Sequence, residues 1–164
     1  GKMGGIVKMN AGMKHHEVAN AICGVCENGV WRENIAFSYR KSEISGIISA
    51  VRLKKISDFD SQIESQCKIM RSNQPKGASA GSFFRNPAEI PRGFEKPKSA
   101  GELLDMAGFK GRQIGGVKFS EIHANFLINC GGGSFADAIT LTNLAKDAVK
   151  EKFGTELQSE VAVI

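Results

Sequence analysis

No stretch of the sequence approaches the ~20 consecutive apolar residues that a membrane-spanning helix needs, and no run of five or more like charges occurs. The first absence argues against a membrane partner. The second argues against a nucleic-acid-binding arm. Histidine is scarce, with three residues, and a single Cys-x-x-Cys pair, Cys23 and Cys26, has neither a second pair nor a His-x-x-x-His to complete it. A closed zinc site needs four ligands, and the adjacent His15 and His16 would point to opposite faces of a strand. No metal is therefore expected. The four cysteines read as structural or surface thiols in a reducing compartment. No Gly-x-Ser-x-Gly string is present, so a hydrolase elbow is unsupported. There is no internal repeat, and the opening Gly1-Lys2-Met3-Gly4-Gly5 lacks the basic-then-apolar order of a signal peptide.

What remains is an ordinary globular composition. Hydrophobic residues make up 41% and charged residues 24% of 164 positions, enough for one sizeable domain or two small ones and no wholesale disorder. The formal charge of +5 is spread along the chain. Such a balance suits a small anionic partner such as a nucleotide sugar, and equally a solvated surface with no partner.

Periodicity divides the chain near residue 75. Residues 1–55 read as strands and turns: apolar Ile6, Val7 and Met9, a turn at Asn10-Ala11-Gly12, and a hairpin from Ile22 through Asn28-Gly29 to Val30 and Trp31. Another strand is expected over 47–55. Residues 58–72 read as a helix, with Asp58 as cap and Phe59, Ile63, Cys67 and Met70 on one face. The Gly-, Pro- and Ser-rich segment 76–97 reads as a loop in which Phe83 and Phe84 act as anchors. Beyond it, Ser99 caps a helix ended by Gly108. One strand is expected over 114–119 with Gly115-Gly116 inside it, and another over 126–129. Gly131-Gly132-Gly133 reads as a flexible joint. Ser134 then caps a long helix with Phe135, Ala138, Thr142, Ala145, Val149 and Phe153 on its packing face, ended by Gly154. Leu157, Val161 and Val163 alternate as a last strand. The expected class is α+β, a β-rich first part followed by a small α+β unit.

Five strings carry candidate chemistry. Gly4-Gly5 with Asn10-Ala11-Gly12 lets backbone approach a ligand and offer N–H groups to phosphate, as ordinary turns also do. In Ser38-Tyr39-Arg40-Lys41-Ser42, Arg40 can fork onto a carboxylate or phosphate, or end a surface strand. In Gly81-Ser82-Phe83-Phe84-Arg85-Asn86-Pro87, Ser82 has no evident His–Asp relay for acyl chemistry, but its hydroxyl can serve as a proton donor to a carbanion. His123 can contact a substrate or satisfy a nearby carbonyl. Glu160 alternates with Leu157, Ser159 and Val161 near the end of the chain and is unremarkable alone.

In order and spacing these strings resemble the UDP-N-acetylenolpyruvoylglucosamine reductase family, also called UDP-N-acetylmuramate dehydrogenases. The likeness runs through Met9-Asn10-Ala11-Gly12, Tyr39-Arg40-Lys41-Ser42 and Gly81-Ser82-Phe83-Phe84-Arg85-Asn86-Pro87. It continues through Ala107-Gly108-Phe109-Lys110-Gly111, Ile114-Gly115-Gly116, Ser120-Glu121, His123-Ala124-Asn125-Phe126, Lys152-Phe153-Gly154 and Glu160-Val161. It covers nearly the whole chain and is densest over 79–161.

The resemblance implies a C-terminal fragment of a cytoplasmic bacterial enzyme, monomeric in full length. Residues 1–75 would be the remaining part of an FAD-binding domain of the FAD-linked oxidase type. Residues 76–164 would be a substrate-binding domain whose final strand returns to the FAD-binding region. FAD, reduced by NADPH, would deliver hydride to the enolpyruvyl group of UDP-N-acetylglucosamine enolpyruvate in peptidoglycan synthesis. By position Ser82 matches the proton donor, and Arg40 and Glu160 the residues that stabilise the enolic intermediate. Asn86, Arg85 and His123 fall near the nucleotide sugar, and Gly4, Gly5, Asn10 and Gly12 in the flavin-binding region. Arg85 stands where the family usually has Lys, and Lys14-His15 where it has Tyr-Gly. About a hundred upstream residues are lacking, and no long insert with a substrate Tyr lies between 42 and 58, which suggests the shorter subclass. The rival readings are a non-catalytic nucleotide-sugar-binding module built from 76–164, and a zinc or thiol-redox protein using Cys23 and Cys26.

Overall fold

The computed structural model describes residues 3–13, 16–55, 61–72 and 74–161. The expected helix cap Asp58, the apolar Phe59, the side chain of Met70, and Lys14, His15 and Val163 lie outside what is described. The chain divides into two compact units, 1–67 and 68–164, each with its own core.

The first unit opens with a helix, α1 (Met3–Lys8), where a strand was expected. The reason lies at its end. Asn10 takes a left-handed backbone (φ 43°), the Ala11 N–H reaches the Ile6 carbonyl at 2.9 Å, and the Asn10 N–H reaches Val7 at 3.1 Å. That is the bond pattern of a Schellman helix end, with Asn in the position usually held by Gly. Val7, fully buried against Val25 and Ile44, anchors the helix despite its two glycines.

Short strands follow: β1 (Gly12–Met13) pairs with β2 (His16–Glu17), and β3 (Ile22–Glu27) with β4 (Val30–Arg32). The second hairpin turns through Asn28 (φ 50°) and Gly29 (φ 83°), both positive as a type I′ turn requires. A small hairpin, β5 (Phe37–Ser38) and β6 (Lys41–Ser42), precedes β7 (Ile48–Leu53), which pairs with β3 to give the sheet order β4-β3-β7. Under its edge, the Glu27 carboxylate accepts from the Ser45 N–H (2.9 Å) and Gly46 N–H (2.6 Å) and pairs with Arg32 at 2.5 Å. Cys23 is exposed and Cys26 buried on β3, so the two thiols do not share an environment.

Helix α2 (Ser61–Ser72) spans the division between the units, with Ile63 and Cys67 half-buried. The second unit is a four-stranded antiparallel sheet with two helices. Strand β8 (Ala78–Ser82) forms within the segment expected to be loop. Its alternating small residues are weak strand formers, and pairing with a neighbour overrides that preference. Helix α3 (Ala100–Met106) starts at Ser99 with a reciprocal capping box to Glu102. The expected single strand over 114–119 is a hairpin, β9 (Gln113–Ile114) and β10 (Val117–Phe119), with Gly115-Gly116 as the two-residue loop. Gly115 sits at φ 52°, which fits such a turn and not a strand interior. β11 (Phe126–Asn129) completes the order β8-β11-β10-β9.

Helix α4 (Phe135–Phe153) carries a Ser134–Asp137 capping box and ends at left-handed Gly154. Leu141, Ala145, Val149 and Phe153 bury against Phe84, Leu103, Leu104, Phe109 and Phe119. Phe135, expected on that face, is 65% exposed in the first turn. Within the triple glycine only Gly133 is packed, its Cβ position 2.6 Å from Val117, while Gly131 and Gly132 have open space; a Cβ at Gly116 would come within 2.6 Å of the Gly131 carbonyl oxygen. Among the described residues, the expected last strand forms one bridge, Ser159 opposite Phe84.

Candidate active site

Ser82 is the last residue of β8, exposed, opposite Phe126 on β11. Gly81 before it takes φ 89°, a conformation closed to most side chains, and turns the chain out of the ladder. The next residues are held from both sides. The Phe83 N–H donates to the Asn125 carbonyl at 2.7 Å, and its carbonyl accepts from the Glu160 N–H at 2.8 Å. Phe84 is 1% exposed, contacts Phe83 edge to face at 4.9 Å, and enters the core. The Arg85 N–H donates to the Gln158 carbonyl at 2.9 Å. The two aromatics anchor the segment as expected, with Phe84 the deeper.

This pairing brings Glu160, remote in sequence, opposite Phe83 and one step from Ser82. Beside them a cavity of about 420 Å³ is bordered by Gly81, Phe83, Asn129, Phe135 and Val161. The lining includes the chain neighbours Gly81, Phe83 and Val161, but neither Ser82 nor Glu160.

Asn125 was not singled out as a site residue from the sequence. It is 3% exposed; its side-chain oxygen accepts from the Phe84 N–H at 2.9 Å, and its side-chain nitrogen donates to the Phe84 carbonyl at 2.8 Å. The available signal was a polar residue between apolar Ala124 and Phe126 at the start of a strand. Its own N–H donates to His123 Nδ1 at 3.2 Å. His123 is half-buried, stacked edge-on against Phe126 at 4.9 Å, and its Cε1 lies 2.8 Å from where a Cβ of Gly101 would be. Burial holds its pKa below the ordinary 6.5, with a smaller push from Lys110. Accepting at Nδ1 assigns the proton to Nε2.

Asn86 is exposed and its side-chain oxygen accepts from the Ala100 N–H at 3.0 Å, at the start of α3. Arg85 is half-buried, and among the described residues nothing reaches its buried Nε. A buried guanidinium donor without a partner is uncommon and calls for an acceptor from a ligand or solvent.

In the first unit, Tyr39 and Arg40 form the loop between β5 and β6, and Arg40 takes φ 54°. Left-handed backbone at a bulky residue is strained and is a recurrent feature of functional positions. Two contacts tie this hairpin to the end of α1: Asn10 Nδ2 donates to the Ser38 carbonyl at 3.2 Å, and Ser42 Oγ to the Lys8 carbonyl at 3.1 Å. Asn10, 7% exposed, also accepts from the Ala19 N–H at 3.2 Å. A Cβ on Gly12 would come within 2.5 Å of Glu17, so this glycine is required by the β1–β2 hairpin itself. Gly5 has nothing within 4 Å of a Cβ position, and Gly4 only Ile48. The first turn of α1 therefore presents bare backbone.

Among the described residues no group of His, Cys, Asp or Glu could hold a metal ion, and no helix is long and apolar enough to cross a membrane. Fold and site define a chain of two mixed helix-and-sheet units, the second an α+β domain bearing a hydroxyl and a carboxylate on adjacent extended segments. Residues 73–164 match the family model described as "UDP-N-acetylenolpyruvoylglucosamine reductase, C-terminal domain". The chain belongs to the UDP-N-acetylenolpyruvoylglucosamine reductase family.

A reductase of that name from Helicobacter hepaticus is 43% identical over the whole chain, and one from Bacillus licheniformis 34% identical. The chain spans 60% of the length of the first and 94% of the second. The crystal structure of the Thermus caldophilus UDP-N-acetylenolpyruvylglucosamine reductase superposes with a TM-score of 0.78 at 33% identity, covering 97% of this chain and 59% of that one.

Proposed function

We propose that this chain is part of a cytoplasmic, monomeric bacterial reductase that converts UDP-N-acetylglucosamine enolpyruvate to UDP-N-acetylmuramate in peptidoglycan synthesis, with FAD and NADPH. Residues 1–75 contribute to the FAD-binding domain and 76–164 form the substrate-binding domain. Family membership supports the reaction. The observation that supports the assignment of roles is the backbone bond from the Glu160 N–H to the Phe83 carbonyl at 2.8 Å, which runs the segment carrying Glu160 alongside the one carrying Ser82.

FAD, when bound, supplies hydride chemistry, with NADPH as the source of electrons. The bare first turn of α1 at Gly4 and Gly5 fits close approach of such a group, whereas Asn10 and Gly12 are engaged in holding their own segment. The enolpyruvyl double bond gains a hydride at C3 and a proton at C2. Ser82 holds the proton delivered to C2, from a strand end clamped on both sides. Arg40 offers a fixed positive charge to the substrate carboxylate, where negative charge develops. Glu160 helps to stabilise the enolic intermediate. Arg85 gives its buried Nε an acceptor when an anionic oxygen of the nucleotide sugar binds, and Asn86 retains its amide nitrogen for the same ligand. His123, neutral, supports the neighbouring backbone and offers Nε2–H.

The test is Ser82→Ala in the flavin-loaded enzyme, with the two half-reactions followed separately. Flavin reduction by NADPH should persist while reduction of the enolpyruvyl compound falls by a factor on the order of 10². Equal loss of both would remove Ser82 from proton delivery. Titration of UDP-sugar into the protein by calorimetry separates the rival module, which would bind nucleotide sugar but no FAD.

A further inference from the structure

We infer that Asn125 is the positioning residue for Ser82, setting the hydroxyl where the proton must be delivered; this rests on the functional reading just given. The ladder between β8 and β11 shifts register between Phe126 and Ile128, so regular pairing does not govern the chain where it leaves Ser82. Asn125 takes over there. One planar amide accepts from the Phe84 N–H and donates to the Phe84 carbonyl, at 2.9 and 2.8 Å. The main-chain carbonyl of the same residue receives the Phe83 N–H at 2.7 Å. The peptide units immediately after Ser82 are thus bound to a single residue.

Asn and Gln present a donor and an acceptor together in a plane that stays neutral at every pH, and the reach here suits the shorter of them. On its other side the Asn125 N–H is taken by His123 Nδ1, so the clamp is itself braced. The Phe83 carbonyl then carries the Glu160 N–H. The backbone segments that carry Ser82 and Glu160 are in this way both tied to one buried residue. A displacement of about 1 Å in such a site lowers turnover on the order of 10²-fold, so a clamp of this kind acts on rate more than on affinity.

The experiment is Asn125→Asp in the flavin-loaded enzyme. The ionised carboxylate of that variant keeps the acceptor for the Phe84 N–H but faces the Phe84 carbonyl without a donor. At pH 8 kcat for enolpyruvyl reduction should fall about tenfold or more, with KM and NADPH-driven flavin reduction within about twofold of wild type. As pH falls, the introduced carboxyl group takes up a proton and regains the donor, and the ratio of variant to wild-type kcat should climb. His123, Lys110, Arg85 and Glu160 are present in both enzymes; the new carboxylate beside His123 favours its protonated form, so the His123 titration is followed by NMR in the variant as well. In a Ser82→Ala background the same substitution should change kcat by less than about threefold, because the group it positions is gone.

A ratio that stays flat with pH, equal loss in both half-reactions, or full additivity with Ser82→Ala overturns the inference while the functional reading stands. A wild-type enzyme that does not turn over the enolpyruvyl compound overturns the reading instead. Should Asn125→Asp fail to fold, Asn125→Gln goes through the same double-mutant cycle, with the same non-additivity expected.

Discussion

Asn10 and Ser38 are joined by a side-chain amide donated to a main-chain carbonyl at 3.2 Å, tying the left-handed end of α1 to the hairpin that carries Arg40. Removing it leaves the Ser38 carbonyl and the Ala19 N–H without their partner. Asn10→Ala should lower unfolding free energy by about 2 kcal/mol or more, read from denaturant midpoints. Asn10→Gly loses the same bonds but accepts the positive φ, and should be less destabilising than Asn10→Ala by about 1 kcal/mol. Equal losses would mean that backbone strain at position 10 is negligible.

The close approach of Gly116 to Gly133 gives a prediction without any polar chemistry. A methyl on Gly116 meets the 131–133 backbone, which cannot swing aside as a side chain would. Gly116→Ala should destabilise the protein by roughly 1–3 kcal/mol or rearrange the β9–β10 turn. Gly93→Ala has open space around its Cβ and serves as the control, although its φ of 86° carries its own strain. A Gly116→Ala protein as stable as wild type would show that this contact is looser than described.

Glu27 links pH to folding in the first unit. The backbone N–H of Gly46, then the Arg32 guanidinium and the Ser45 N–H, lower its pKa from the ordinary 4.5 to about 2. A depressed folded-state pKa means that the unfolded chain binds the proton more readily. Its stabilising contribution is therefore complete above pH 4.5 and lost as pH falls toward 2. Thermal unfolding of Glu27→Gln should show a shallower decline than wild type across that interval. Parallel curves would sever the link.

His123 titrates in the opposite chemical sense with the same consequence. Its folded-state pKa lies below 6.5, so protonation favours the unfolded chain, and stability should begin to fall as pH drops below 6.5. Nitrogen NMR at neutral pH should show a protonated Nε2 and a bare Nδ1, with a titration midpoint below that of free imidazole. A midpoint above 6.5, or an Nδ1–H tautomer, contradicts the bond from the Asn125 N–H.

Much of the second unit could be read from local chemistry. Ser99 and Ser134 each begin a capping box, Gly154 ends α4 in a left-handed turn, and β11 spans the expected 126–129. The Asn28-Gly29 turn also lies where its residues require. Where expectation and structure part, the competing force can be named. Ile6, Val7 and Met9 look like a strand because a six-residue helix is too short to display its period. Burial of Val7 and the cap at Asn10 decide it. Gly115-Gly116 looks like a strand interior until pairing folds Val117 back on Ile114. Ala78 to Ser82 contains no strong strand former and becomes a strand because β11 offers it a partner.

From sequence alone, the resemblance to the reductase family singles out Ser82, Arg40 and Glu160 as the proposed reactive groups, because the motif strings around them are local. Tertiary structure alone decided that Glu160 lies beside Phe83, and that a buried Asn125 binds the peptide units after Ser82. Those are hydrogen bonds between segments far apart in the chain. Their partners are chosen by the packing of Phe84 and the register of β11, which no local pattern encodes.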